Sequence, residues 1–139
     1  MSIRIFYDEA GLRLTGWRKL VKVIRSIVEE ENRIAGNISF IITGDREIKR
    51  INVEFLGHDY CTDVITFNYN KEEVVAGEIY ISKDTVAVNA KEFCVSVQDE
   101  LKRVIIHGVL HLTGMDDSTD EERQKMHEAE EKWLLRFCN

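Results

Sequence analysis

Proline is absent from the 139 residues, and the eight glycines are scattered. No segment has the composition of a linker, a repeat or a low-complexity tract, so residues 1–139 read as one domain. Cysteine is scarce. Cys61, Cys94 and Cys138 are odd in number, widely spaced and without a C-x-x-C pair. That argues against a disulfide framework or a thiolate zinc site and suits idle thiols in a reducing compartment. Long apolar runs are missing too. None approaches the ~20 residues that span a bilayer, so no membrane partner is expected. The N-terminus MSIRIFYDEAG lacks the apolar centre of a signal peptide, and the expected location is the cytoplasm. Positive charge is also short, with 19 Lys and Arg against 25 Asp and Glu and a net charge of −6. This balance speaks against a nonspecific nucleic-acid binder with a basic surface. It still admits an RNA substrate, because a local basic cleft or a bound cation can offset acidity elsewhere.

What is present is an ordinary globular composition, 44% hydrophobic. Ile3 to Tyr7 reads as a strand. Trp17, Leu20, Val21, Ile24, Ile27 and Val28 fall at helical spacing, so a helix is expected over about 16–32. Ser39 to Thr43 is β-rich. Asp45 is placed to cap a helix with Ile48, Ile51 and Phe55 on one face. Asp63 to Tyr69 and Glu78 to Ser82 read as strands joined as a hairpin, with KEEVVAGE as the turn. The remainder is helical. One helix covers Asp84 to Phe93, and a second follows the Ser96–Asp99 capping signal as far as Thr113. A third is opened by Ser118 with Glu121 and carries a stripe of Met126, Ala129, Trp133 and Phe137. The order β-α-β-α-β-β-α-α-α predicts an α+β domain, a small mixed four-stranded sheet packed with about five helices.

The helix from Leu101 to Leu112 is apolar almost all round, which predicts a central, buried element. It carries His107 and His111, four residues apart and so on one face. Two imidazoles at that spacing can grip one divalent ion, although buried histidines also serve as hydrogen-bonded core residues. Gly108 lies inside the helix, where glycine is disfavoured, and implies close approach of another segment. Gly114 suits the left-handed position that ends a helix and lets the chain turn back. Asp116 and Asp117 then come within reach of the histidines. The spacing H-x3-H-x5-D is a three-ligand set with a fourth position left open. Asp116 is the alternative ligand, a proton acceptor, or a partner that orients a histidine. His127 and the run DEERQKMHEAEEK read as a solvated helix face.

HGVLHLTGMD resembles the H-G-x-L-H-L-x-G-x-D-H signature of the YbeY family, metal-dependent endoribonucleases of ribosomal RNA maturation. NVEFLGHDYCTDVITF (Asn52 to Phe67) and GEIYIS (Gly77 to Ser82) resemble two further family segments in the same order. The resemblance implies a small mixed α+β fold and a metal site of His107, His111 and Asp117, the last replacing a usual histidine. It implies one zinc ion, single-stranded RNA as substrate in maturation of the 3′ end of small-subunit ribosomal RNA and in ribosome quality control, and the ribosome or its proteins as partners. Leu56 stands where relatives carry an arginine, and leucine offers phosphate no hydrogen bond. His58 is a candidate substitute, and Thr62, Asp63 and Arg103 are candidates for the substrate cleft. Arg103 can equally pair with Asp99. An aspartate ligand lowers the charge of the site relative to three histidines, and two histidines with one carboxylate also fit non-haem iron. Gly108 replaces the glutamate of H-E-x-x-H proteases, which weakens a peptidase reading. The remaining alternatives are a ribosome-assembly or RNA-binding factor with a structural metal, and a metal-dependent hydrolase of another substrate.

Overall fold

The structure, a computed structural model, describes residues 2–9, 11–57 and 64–138. The elements are β1 (Ile3–Tyr7), α1 (Trp17–Glu30), β2 (Ile34–Thr43), α2 (Asp45–Ile51), a π-helical turn (Asn52–Leu56), β3 (Val64–Asn68), β4 (Val74–Ser82), α3 (Lys83–Glu92), α4 (Val97–Leu112) and α5 (Asp120–Cys138). The sheet order is β1-β2-β4-β3. β1 and β4 both run parallel to β2, and β3 returns antiparallel on β4 as the expected hairpin. The domain is therefore the α+β fold with a mixed four-stranded sheet and five helices that the element order implied.

Alternation along the strands builds the core. Ile38, Phe40 and Ile42 of β2 and Val75, Ile79 and Ile81 of β4 are completely buried on one side of the sheet. They pack with Leu20, Ile24 and Ile27 of α1 and with Leu101, Val104, Ile105 and Val109 of α4. The opposite face holds a small separate cluster, Ile48 and Ile51 of α2 over Ile65 of β3. Gly108 explains how α4 sits so deep. A Cβ there would lie 2.9 Å from Ile79 Cγ2, so the glycine lets the helix press onto β4.

Four local expectations change. KEEVVAGE is not all turn: Val74 and Val75 pair with Ile34 and Ala35, and Gly77 with Ile38, of a β2 longer than Ser39–Thr43. Strand pairing there overrides the weak propensity of the Gly36–Asn37 segment. Asp45 does not cap its own helix. Its carboxylate accepts from Thr85 Oγ1 at 2.7 Å and from Ser82 Oγ, tying α2 to the start of α3. Phe55 falls in the π-helical turn that follows Ile51, and its ring meets Phe67 edge-on but stays 60% exposed rather than buried with Ile48 and Ile51. Finally, α5 is opened by Thr119 rather than Ser118. Thr119 Oγ1 accepts from the Glu122 amide while the Glu122 carboxylate accepts from the Thr119 amide, a capping box one residue later. The Ser96 cap of α4 forms as expected, with Oγ accepting from the Asp99 amide at 3.0 Å.

Candidate metal centre

α4 delivers both histidines to one point. Their Nε2 atoms lie 3.0 Å apart. Asp117 Oδ2 lies 3.5 Å from His107 Nε2 and 3.3 Å from His111 Nε2. The edges of this triangle can be compared with a zinc ion. Ligand bonds of 2.0–2.2 Å in a tetrahedron separate the donor atoms by about 3.3–3.6 Å. The three donors thus already stand near the spacing of a tetrahedral face, and all three side chains are only partly buried.

The outer nitrogens fix the inner ones. His107 Nδ1 lies 2.5 Å from Glu130 Oε2, and His111 Nδ1 lies 2.9 Å from the Met115 carbonyl. With Nδ1 of each ring set against an acceptor, it is Nε2 that turns to the shared point.

The turn that carries Asp117 follows from the end of α4. Gly114 takes a left-handed φ of 106°. Its amide donates to the His111 carbonyl at 3.0 Å and the Met115 amide to the Leu110 carbonyl at 3.1 Å, the double closure of a Schellman turn. Asn70 Nδ2 donates to the Leu112 carbonyl and Arg33 to that of Thr113, so the last carbonyls of the helix are satisfied. Arg123 of α5 then braces the turn, donating to the Ser118 carbonyl at 2.9 Å and the Asp117 carbonyl at 3.4 Å.

Beneath the histidines lies a buried ionic chain. Arg103 donates to both oxygens of Glu100, at 2.9 and 2.6 Å, and to Glu130 Oε1 at 2.8 Å. Glu130 in turn meets His107. Burial pushes the Glu130 carboxyl up, but bonds from His107 and Arg103, together with their charges, outweigh it and hold it below the usual carboxylate range. The bond to Glu100, above all, holds Arg103 firmly protonated against the opposing effect of burial.

Of the two aspartates, Asp117 is the one whose carboxylate reaches both histidines. Asp116 is exposed, and the residue that orients a histidine is Glu130 instead. Arg103 pairs with Glu100 and Glu130, not with Asp99. His127 is exposed and lies 3.5 Å from Glu131. Leu56, in the place of the family arginine, is exposed at the end of the π-helical turn. His58, Thr62 and Asp63 lie outside the described residues. Glu130 escaped the sequence reading because it sits in an acidic run that looks solvated. A signal was present: it falls four residues after Met126 and three before Trp133, on the buried stripe of α5.

The family model described as Endoribonuclease YbeY matches residues 7–138. An Endoribonuclease YbeY of Chlorobaculum tepidum is 50% identical over 118 residues, 85% of this chain and 86% of its own. One of Chlorobium phaeobacteroides is 46% identical over 96% of both chains. One of Bacteroides thetaiotaomicron is 38% identical over 94% of this chain and 96% of its own. A solution structure of a Thermotoga maritima protein, 34% identical, superposes with a TM-score of 0.67 and covers 98% of this chain and 89% of that one. With nearly every residue inside the match and the histidine helix in place, the chain belongs to the YbeY endoribonuclease family.

Proposed function

We propose that this protein is a metal-dependent endoribonuclease of ribosomal RNA processing, acting on single-stranded RNA in the cytoplasm with the ribosome as its working partner. One zinc ion would be held by His107 Nε2, His111 Nε2 and the Asp117 carboxylate. The observation that carries the reading is the convergence of those three donors within 4.8 Å of one another, with both outer imidazole nitrogens engaged. When bound, such an ion supplies a Lewis acid for a phosphoryl oxygen and acidifies water near neutral pH.

The chain's own residues prepare the site. Glu130 and the Met115 carbonyl hold the imidazole protons on the outside, and Arg103 keeps Glu130 ionised and in place. Asp117 is more than a third exposed, so one side of the centre stays open to a substrate. That opening disfavours the rival reading, an assembly factor whose metal is purely structural, since structural zinc is usually closed by four protein ligands. Asp116 is exposed and has no ion pair among the described residues, so its carboxylate is available to take a proton.

A labelled single-stranded RNA incubated with wild type, with wild type plus chelator, and with His111→Ala tests the reading. Cleavage should require both the metal and His111. Undiminished cleavage by a clean His111→Ala preparation would end it. Elemental analysis of wild type against Asp117→Ala identifies the metal and checks the third ligand. Asp116→Asn should retain metal and lose cleavage if that carboxylate takes the proton.

A further inference from the structure

α1 carries an unusual charge pattern for a helix. Arg18 and Lys19 stand in its first turn and Lys22 in its second, and the first turn contains no acidic residue. The N-terminal end of a helix is its positive end, where cations are disfavoured and carboxylates are favoured. α5 follows the favourable rule, with Asp120, Glu121 and Glu122 in its first turn. The cations of α1 therefore serve something other than the helix.

They face Arg136 of α5 across a groove of about 560 Å³, floored in part by Trp133. All four cations are exposed, and Trp133 is buried. Arg136 lies over the Trp133 ring at 4.7 Å and Lys19 over Phe137 at 5.2 Å, so aromatic faces hold two of the cations in position. None of the four forms an ion pair among the described residues. Other cations do pair: Lys132, also on α5, reaches Glu30 at 2.7 Å, and Arg50, Arg103 and Arg123 hold carboxylates. In a chain of net charge −6, four unneutralised cations in one groove are a local basic cleft in an acidic surface.

We propose that the α1–α5 groove binds the phosphate backbone of RNA, outside the metal centre. Arg18 and Lys22 lie one turn apart, about 6 Å along the axis, comparable to the step between neighbouring phosphates of one strand. Trp133 follows Glu130, the residue bonded to His107, by three positions, so one helix, α5, contributes to both the groove and the support of the metal centre. A strand cleaved at the histidines would extend its flanking phosphates into the groove. The buried tryptophan offers no free face for stacking, so the contact is to phosphate and independent of base sequence. The inference rests on RNA being the substrate and adds where its flanking segment is held.

The test separates binding from cleavage. Anisotropy of a labelled single-stranded RNA is measured with the metal-free His111→Ala protein, which cannot cleave under the reading above. The groove variant adds Arg18→Gln, Lys22→Gln and Arg136→Gln. A control of equal charge adds Arg4→Gln, Lys71→Gln and Lys91→Gln. The groove variant should bind about tenfold more weakly at about 0.1 M salt, and its log–log salt slope should fall by about 2, at ~0.7 per phosphate contact. The control should stay within about twofold. In otherwise wild-type protein the groove substitutions should raise KM for a long RNA and leave kcat, and cleavage of an RNA too short to span both sites, unchanged. Equal affinities and slopes for groove and control variants would overturn the proposal. So would a groove variant that keeps its RNA affinity but loses binding to vesicles of anionic phospholipid. Groove-dependent binding by a wild-type protein that cleaves nothing would refute the nuclease reading and leave this one standing.

Discussion

The molecule builds the same triplet twice, one arginine between two glutamates, with opposite consequences. On α2 and the π-helical turn, Arg50 pairs with Glu47 and Glu54, whose side chains are 33% and 55% exposed. Under the histidines, Arg103 pairs with Glu100 and Glu130, which are 1% and 4% exposed. The first triplet is local, joined by spacings of three and four residues. The second joins two helices across 27 residues of sequence. Water screens the first, so its net worth is small. Burial makes the second sensitive to the loss of any member, because a carboxylate left unpaired there has nothing to replace its hydration. Only the second reaches His107 of the candidate metal centre. The same trio, one arginine and two glutamates, is thus surface decoration in one place and the foundation of the candidate site in the other.

The largest effect should come from breaking the buried triplet. Arg103→Leu strands two buried carboxylates and should lower stability by about 3–5 kcal/mol. Denaturant unfolding checks this, and a loss under about 1 kcal/mol would put the two triplets on the same footing. Next, Glu130→Gln keeps the shape of the His107 support and removes its charge. Metal affinity, read by competition with a chromogenic chelator, should fall about 10–100-fold. Arg50→Gln should leave that affinity unchanged and move the unfolding midpoint far less than Arg103→Leu does. If Arg50→Gln weakened the metal as much as Glu130→Gln did, the comparison would collapse. The smallest effect is acid dependence in the exposed triplet. The hydrogen bond from Arg50, above all, holds the Glu47 carboxyl below its ordinary 4.5, with burial opposing only in part. A lowered folded pKa means the contribution is present above 4.5 and fades as pH falls through the lowered value. The difference in Tm between wild type and Glu47→Gln should therefore be constant near neutrality and shrink only in strong acid.

Much of the centre could be read along the chain because its parts are local. His107 and His111 share a face by helical periodicity. Gly114 marks the end of α4 by its freedom at positive φ, and Asp117 follows within a few residues. Even the close approach at Gly108 was implied, although its partner, Ile79, was not. The errors were of another kind. Phe55 stays largely exposed at the edge of the Ile48–Ile51 cluster, in a widened turn whose residues no longer follow α-helical spacing. The Asp45 carboxylate turned to Ser82 and Thr85, distant in sequence, rather than to its own helix.

Periodicity, caps and spacing settle which elements form and which residues share a face, because those depend on backbone geometry over a few residues. They were enough for the α+β order, the buried histidine helix and the two imidazoles. Which carboxylate of DEERQKMHEAEEK goes inside, where Arg103 points, and which cations of α1 and α5 meet across a groove depended on how α5 docks against α1 and α4. That docking is a competition among burial, desolvation and pairing between segments far apart in the chain, and it has no signature in any single stretch of it.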